Sequence, residues 1–563
     1  MEKGLRPTYN FNCTRGFHCS RYTPHIKIRL KAMKQTNSTS FLWIAGLIAL
    51  MVPRIMIAAS ISGDVTFWGN SDGIHPIEMA AHALISDPPV SAVAVSSPGG
   101  AYSLSVDNGS YYISAYLDRD ESGGPPDPYE PLVWYDADGN GLPDMVTVSG
   151  GADVTGIDVD LGFVYVDIDA NGTNVGSSWT NAFTGLNTAI QAAVSGIEVW
   201  VAEGTYMPPG VDRRNHFALK NGVRVYGGFA GNEKTRGDRD PSTFQTTLSG
   251  EIGNPGTADN VYNVVWAGDT NMTPLLDGFT ITGGRADGGT PWNQGGGLYA
   301  YFGGATVVNV TFSGNYASQA GGGIATNGGV VHVYNSRFFG NQAGVYPAGW
   351  GGGFYGKTNG EILVNCVFSG NSAGQRGGAI YMESGSFGGT LSGLSINGNT
   401  SGWEAGGLFI NNNGTTDTLV SNSIVWGNNA QNFQQILTWG PVQVSYSLVQ
   451  GGLAGGTNIS TADPQFVDAN GVDDVLGTAD DNLDLQVTSP AIDAGKNAAV
   501  PLDAADLDDD FDTTEALPLD IDFNARFANM PAITDTGNGS APIVDLGAYE
   551  VSPSPLIFKD GFE

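Results

Sequence analysis

The feature that most constrains this chain is a two-part signature repeating between Asp277 and Asn428. A glycine run with an apolar residue after it is answered, some residues later, by an apolar or aromatic position closing on Gly-Asn. It reads Gly-Gly-Gly-Leu-Tyr (295–299) then Phe-Ser-Gly-Asn (312–315), and Gly-Gly-Gly-Ile (321–324) then Phe-Phe-Gly-Asn (338–341). It continues as Gly-Gly-Gly-Phe-Tyr (351–355) with Phe-Ser-Gly-Asn (368–371), Gly-Gly-Ala-Ile-Tyr (377–381) with Ile-Asn-Gly-Asn (396–399), and Gly-Gly-Leu-Phe-Ile (406–410) with Val-Trp-Gly-Asn (425–428). The closing asparagines Asn315, Asn341, Asn371, Asn399 and Asn428 stand 26, 30, 28 and 29 residues apart. Periods of roughly 20–50 residues mark solenoids. Between the anchors lie short alternating β-branched runs such as Val307–Phe312 and Ile362–Phe368, which are strands, joined by Gly- and Asn-rich corners where positive φ costs little. The pattern predicts an all-β chain: a right-handed parallel β-helix with Val, Ile and Phe inward and a ladder of asparagines along the stack.

These paired elements resemble the repeats of polymorphic outer membrane proteins, within the pectate-lyase-like β-helix superfamily. The resemblance implies a scaffold exposed at a bacterial surface or secreted.

The amino terminus agrees with export. Residues 1–59 are basic, and after Met33-Lys34 they carry an apolar run from Phe41 to Val52, ending near Ala58-Ala59-Ser60. This is the pattern of a signal peptide with its true start at Met33 and cleavage near Ala59. A retained anchor is the rival, because Arg54 interrupts the cleavage region, although the run falls short of the roughly 20 residues a spanning helix needs. The leader holds nine of the 24 Lys+Arg and one of the 56 Asp+Glu, so the mature chain carries a net charge of −40. Such a surface disfavours nucleic acid and anionic membranes and offers hard oxygen ligands to calcium. Cys13 and Cys19 leave with the leader, and Cys366, inside a strand, is expected in the core.

Ahead of the β-helix, residues 60–163 alternate as the strands of a small β-sandwich do, and with Asn108-Gly-Ser-Tyr-Tyr-Ile they resemble a carboxypeptidase-regulatory-like module. Two acidic loops lie in it. Asp118-Arg-Asp-Glu-Ser-Gly is the weaker. The stronger places Asp136, Asp138, Asn140 and Asp144 at positions 1, 3, 5 and 9 of an EF-type calcium loop, with Thr147 where the bidentate Glu would stand. The other reading is a solvated turn.

The β-helix is expected over 164–461. Its one amphipathic helix, starting at Leu186, is placed to cover the open end of the coils. The run from Tyr165 through Glu203, Arg236 and Arg239 to Gly250 resembles the cap that opens secreted bacterial β-helix proteins. Residues 462–551, with Ser489-Pro-Ala-Ile-Asp-Ala-Gly and Asp545-Leu-Gly-Ala-Tyr-Glu, resemble a choice-of-anchor module; 552–563 form a tail. Asp468, Asn470, Asp473, Asp480 and Asp481 are candidate calcium ligands there, and the acidic run 503–512 offers more.

A lyase needs a Lys or Arg base beside carboxylates, and a hydrolase needs facing carboxylates about 5–9.5 Å apart. Ionisable residues within the repeats are few. Lys357 with Glu361, or Arg376 with Glu383, could meet on adjacent coils, though a solvated pair is the commoner outcome; His332 lies in an alternating strand. Aromatics at the Gly-rich corners are the better lead: Trp292, Tyr299, Tyr301, Tyr346, Trp350, Tyr355 and Trp403 could stack on sugars or partner surfaces, or could equally fill the inside of the coils. Two functions follow. One is non-enzymatic adhesion, with an extracellular glycan or surface protein as partner and no transmembrane helix in the mature chain. The other is a polysaccharide lyase or glycoside hydrolase working along the coil face. A groove holding three or more ionisable groups favours the second, and a bare face with exposed aromatics favours the first.

Overall fold

The structure is a computed structural model that describes residues 59–68, 76–85, 87–96, 99–117, 132–138, 142–357, 360–384, 388–508 and 513–553. The expected signal peptide, the loop at 118–123, Asn140 and the tail from 554 lie outside them. It is a parallel β-helix, nearly all β, one face of which is a separate sheet of eight strands.

The central coils carry four short strands each. The first face stacks Leu275–Asp277, Gly304–Val308, Val330–Tyr334, Ile362–Val364, Thr390–Ser392 and Thr418–Ser421. One residue beyond each turns the chain onto the second face: Phe279–Thr282, Thr311–Ser313, Arg337–Phe339, Val367–Ser369, Ser395–Asn397 and Ile424–Trp426. The turning residue is left-handed, and in four coils it is an asparagine: Asn309, Asn335, Asn365 and Asn422, at φ 52°, 44°, 49° and 49°. Asparagine is the L-residue that tolerates this conformation best. A two-residue third face follows, from Arg285–Ala286 to Thr400–Ser401. The fourth face runs from Phe217–Ala218 to Ile436–Trp439.

The closing asparagines form the expected ladder. Asn315 Nδ2–H donates to Asn341 Oδ1 at 3.1 Å, Asn341 to Asn371 at 3.0 Å, Asn371 to Asn399 at 2.9 Å and Asn399 to Asn428 at 2.9 Å. Gln435 Oε1 ends the series, accepting from Asn428 at 2.8 Å. The glycine before each asparagine sits at positive φ and turns the carboxamide inward. Beside the ladder Phe312, Phe338 and Phe368 stack with ring centroids 5.0 and 4.4 Å apart. The middle glycines of the Gly-rich turns are there for space: a Cβ on Gly322 would lie 2.6 Å from the Gly352 carbonyl oxygen of the next coil. Cys366 is buried in this core, its thiol pushed up to about 12 by desolvation.

At the amino-terminal end, β1 (Ala59–Trp68), β4 (Gly99–Val106), β8 (Val154–Thr155) and β9 (Val159–Val166) form one sheet. A second antiparallel sheet holds β2 (Ile77–His82), β3 (Ser91–Val95), β5 (Gly109–Leu117), β6 (Leu132–Trp134) and β7 (Met145–Val148). Their inward residues share one core. The boundary drawn at 163/164 falls inside β9, which pairs with β1 over 159–162 and with β10 (Glu198–Ala202) over 163–166. Phe163 and Tyr165 therefore point into the amino-terminal core and Val164 and Val166 into the solenoid. The helix α1 (Leu186–Ala192) buries Leu186, Ala189 and Ile190 against that first coil.

The carboxy-terminal residues do not stand apart as a terminal appendage. They fold back along the outside of the first and second faces in three apolar patches, among them Leu483, Ile521 and Tyr549 against Phe339 and Val367, and Leu507 and Leu517 against Val308, Tyr334 and Val364. The corner asparagines hold them: Asn335 Nδ2–H donates to the Asp520 carbonyl at 2.9 Å, Asn365 to that of Leu519 at 2.7 Å and Asn422 to that of Lys496 at 3.1 Å.

This segment buries several carboxyls. Burial raises Asp484 to about 6, with Asp522 and Asp520 adding to the shift and Arg337 opposing it. Burial likewise raises Asp545 to about 7 and lifts Glu550, the two lying together beside Arg526, with Asp493 also facing Asp545. Carboxyls raised on folding contribute stability below their unfolded pKa of about 4, and that contribution is lost as pH rises through the folded value. The hold of this segment therefore weakens between about pH 4 and pH 7. Hydrogen exchange of the 545–551 amides, corrected for intrinsic rates, will show lower protection at the upper end of this window. Constant protection would refute the assignment.

Candidate functional site

The fourth face carries the aromatic residues singled out in the sequence. Tyr299, Ala325, Tyr355, Tyr381 and Phe409 line its outer side one coil after another, with Tyr381 and Phe409 stacked at 4.9 Å. Yet Tyr299 and Tyr355 are buried, not presented to solvent. The Gly-rich turn of each coil closes over the strand, and the residues entering the turns pair coil to coil: Gln294, Ala320, Trp350, Arg376, Glu404 and Asn432. These cover the aromatics. Trp350 lies against Tyr355 and Tyr381, and its Nε1–H donates to Gln375 Oε1 at 2.7 Å. Tyr299 and Tyr355 are thus corrected from binding residues to a structural stack.

Of the remaining candidates, Tyr301 and Trp350 are half-buried. Trp292, also half-buried, belongs to a cluster with Trp266, His216 and Tyr262. Trp403 is 38% exposed and Tyr346 is 57% exposed. They are neighbours: the backbone of Val345-Tyr346 lies against Gly374, and Cβ of Tyr346 lies 3.6 Å from where a Gly402 Cβ would stand. Between them and the stack, Arg376 Nε–H donates to Glu404 Oε2 at 2.7 Å, and its guanidinium lies over Phe409 and Trp439. Arg376 thus pairs with Glu404 rather than with Glu383, the pairing the sequence had left as the less common outcome. Phe433 and Trp439 are also exposed on this side of the chain. Sequence reading missed them because they lie beyond Asn428, where the signature ends.

A second site lies across the second face, a groove between the loop 236–245 and the carboxy-terminal segment. Arg236, Arg239, Arg337, Asp240, Asp508 and Asp522 line it, so in number it meets the criterion set for an enzyme. In chemistry it does not. Arg236 Nη1 binds Glu198 Oε1 at 2.7 Å, Arg239 Nη2 binds Asp277 Oδ2 at 2.6 Å, and Arg337 pairs with Asp522. Asp240 accepts from the backbone and hydroxyls of Ser242 and Thr243. A lyase base must be able to give up its proton, and an arginine held by a carboxylate keeps its charge. Elsewhere Glu361 is buried and accepts from Thr326 Oγ1 at 3.1 Å, and His332 faces the Gly360 carbonyl at 3.2 Å.

The acidic candidates divide. Asp136, Asp138 and Asp144 bring carboxylate oxygens within 4.8 Å of one another, close enough to share one ion. Asp136 also accepts from Ser195 Oγ at 2.7 Å, and Asp144 from the Ala137 amide at 2.9 Å. The residues 468–481 do not converge among the described residues. Asp473 accepts from the Val475 amide, Asp480 from the Asp473 amide and Thr478, and Asp481 from Gly477 and from Ser369 on the second face. Asn470 bonds Asp474, and Asp468 lies in the strand Phe466–Asp468. The hydrogen bonds of Asp473, Asp480 and Asn470 fix their own turn, and Asp481 ties it to the second face.

Comparison with known proteins places the similarity in the repeats. Residues 309–332 and 365–383 match the Chlamydia polymorphic membrane protein repeat. Each stretch runs from a corner asparagine through the second face and the Gly-rich turn to the fourth face or beyond. Among solved structures, the chain is similar to one described as the crystal structure of pectate lyase Pel9A, at 16% identity and a TM-score of 0.38, over 69% of this chain and 96% of that one. No curated protein matches the chain. The similarity to the polymorphic membrane protein repeat thus lies in two of the coils.

Proposed function

We propose that this is a secreted or cell-surface β-helix protein that is not an enzyme and that binds an extracellular glycan through the aromatic side of its fourth face. The observation carrying the reading is the exposed pair Tyr346 and Trp403 on neighbouring turns, backed by a buried aromatic stack that fixes the turns in place. Flat rings beside a guanidinium–carboxylate pair give a sugar both a stacking surface and hydrogen-bonding partners. Export is supported by the repeat match, the leader-like amino terminus and the strong acidity, and no helix among the described residues is long and apolar enough to cross a membrane.

The mature chain, passed over a panel of immobilised acidic and neutral polysaccharides, is expected to be retained on at least one. Trp403→Ala will weaken that retention by about tenfold, or about 1.4 kcal/mol, the scale of an aromatic anchor in an interface. Retention unchanged by this substitution and by Tyr346→Ala would sink the reading. The second reading, a lyase or hydrolase, has in its favour only the number of ionisable groups in the second-face groove, not their pairing. Unsaturated products or new reducing ends in the same panel would establish it and displace the first.

The amino-terminal loop is proposed to hold Ca2+ on Asp136, Asp138 and Asp144. Terbium luminescence sensitised by the nearby Trp134 and Tyr135 should appear in the wild type and be lost in Asp138→Asn. A signal indifferent to that substitution would remove the site.

A further inference from the structure

A second group of carboxylates converges towards the other end of the chain, at the acidic run 503–512 that the sequence had offered for calcium. Asp503, Asp508 and Glu515 bring carboxylate oxygens within 4.8 Å of one another. Two oxygens bound to one Ca2+ at 2.3–2.6 Å are at most about 5 Å apart, so the three fit a single ion. Exposed acids gather in this way without a ligand, but Asp503 is not exposed: its relative accessibility is 0%. Its Oδ2 accepts the Leu507 amide at 2.8 Å, while its Oδ1, buried, has no hydrogen-bond partner. A buried carboxylate oxygen without a donor costs free energy that a cation would recover.

The surroundings say what the ion would do. Residues 501–508 and 513–517 are tied to each other by backbone bonds, Asp503 N–H to the Glu515 carbonyl at 3.0 Å and Leu517 N–H to that of Pro501 at 2.9 Å. Their apolar residues Leu507 and Leu517 rest on Val308, Tyr334 and Val364 of the first face. Leu507 and Asp508 also line the groove of the second face. We propose that Asp503, Asp508 and Glu515 bind a Ca2+ ion that ties residues 501–508 to residues 513–517 and so fixes one wall of the second-face groove. Hard carboxylate oxygens suit Ca2+, whose coordination tolerates irregular spacing better than that of Mg2+.

The test is hydrogen exchange on the full mature chain near neutral pH, in excess Ca2+ and in chelator. In the wild type, Ca2+ should slow exchange at Leu507 and Leu517 by about tenfold or more. Asp138→Asn should keep this effect, which separates the site from the amino-terminal loop. Asp503→Asn should abolish it, yet in chelator it should protect Leu507 and Leu517 at least as well as the wild type does, since it removes the buried charge and keeps an acceptor for Leu507. That second comparison guards against mere misfolding. Equal wild-type exchange with and without millimolar Ca2+, or Ca2+ protection surviving in Asp503→Asn, would overturn the proposal.

Discussion

Replacing Asn371 with Ala will lower the stability of the central coils by roughly 3–5 kcal/mol, because it breaks a chain of buried amide hydrogen bonds at its middle. Asn371 Oδ1 accepts both the backbone and the side-chain N–H of Asn341, each at 3.0 Å. Its Nδ2 donates to the carbonyls of Phe338 and Ser369 and to Asn399 Oδ1. Alanine supplies none of these, and Asn371 and its neighbours in the ladder are fully buried, so water cannot replace them. The loss falls locally, since in a solenoid each coil interacts chiefly with its neighbours. Hydrogen exchange should therefore show amides near Asn341 and Asn399 opening first, while those of β1 and β4 keep their wild-type protection. A uniform loss, or one below about 1 kcal/mol in denaturant, would mean the ladder is not the element that holds the coils in register.

Trp200→Ala will cost a similar roughly 3–5 kcal/mol, but at the junction of the amino-terminal sheets with the first coil. The indole is sandwiched between Phe163 at 4.2 Å and Phe229 at 4.9 Å, and its Nε1–H donates to Glu198 Oε2 at 2.8 Å. Glu198 in turn holds Arg236 with little exposure on either side chain. The substitution opens a cavity and leaves a carboxylate oxygen of a buried ion pair without its donor. Since Trp200 belongs to the core of both amino-terminal sheets while Val199 and Val201 beside it face the solenoid, both regions should loosen together in exchange. Loosening of one alone would show that the shared strand does not couple them.

The coils were legible because glycine and asparagine recur for reasons of backbone geometry, and geometry leaves a period. The same logic reaches further than the Gly-Asn anchors. Asn309, Asn335, Asn365 and Asn422 each precede a closing asparagine by six residues, a spacing that marks the left-handed corner between the first two faces. Burial of Tyr299 and Tyr355 was not legible, since a tyrosine pointing outward from a strand is exposed or covered according to a turn whose path the sequence does not state. Nor was the docking of the carboxy-terminal segment: Asn335 meets Asp520 across 185 residues, and no local pattern announces such a contact. Among the acidic loops, Asp136, Asp138 and Asp144 converge, whereas Asp473, Asp480 and Asp481 turn to nearby amides and hydroxyls. Composition alone does not separate those outcomes.

The ladder and the segment beside it place opposite demands on inheritance. Each asparagine gives to the coil after it and receives from the coil before, so a coil excised or duplicated between equivalent asparagines leaves joints that still match. By that rule alone the protein could grow or shrink in whole coils through unequal crossing-over. The carboxy-terminal segment works as a ruler against this freedom, for it grips Asn335, Asn365 and Asn422 at fixed intervals. A copy with one coil more or fewer in that stretch would stack well and fit its own tail badly. Changes in length are therefore tolerated best ahead of Leu275, before the first coil that the segment touches.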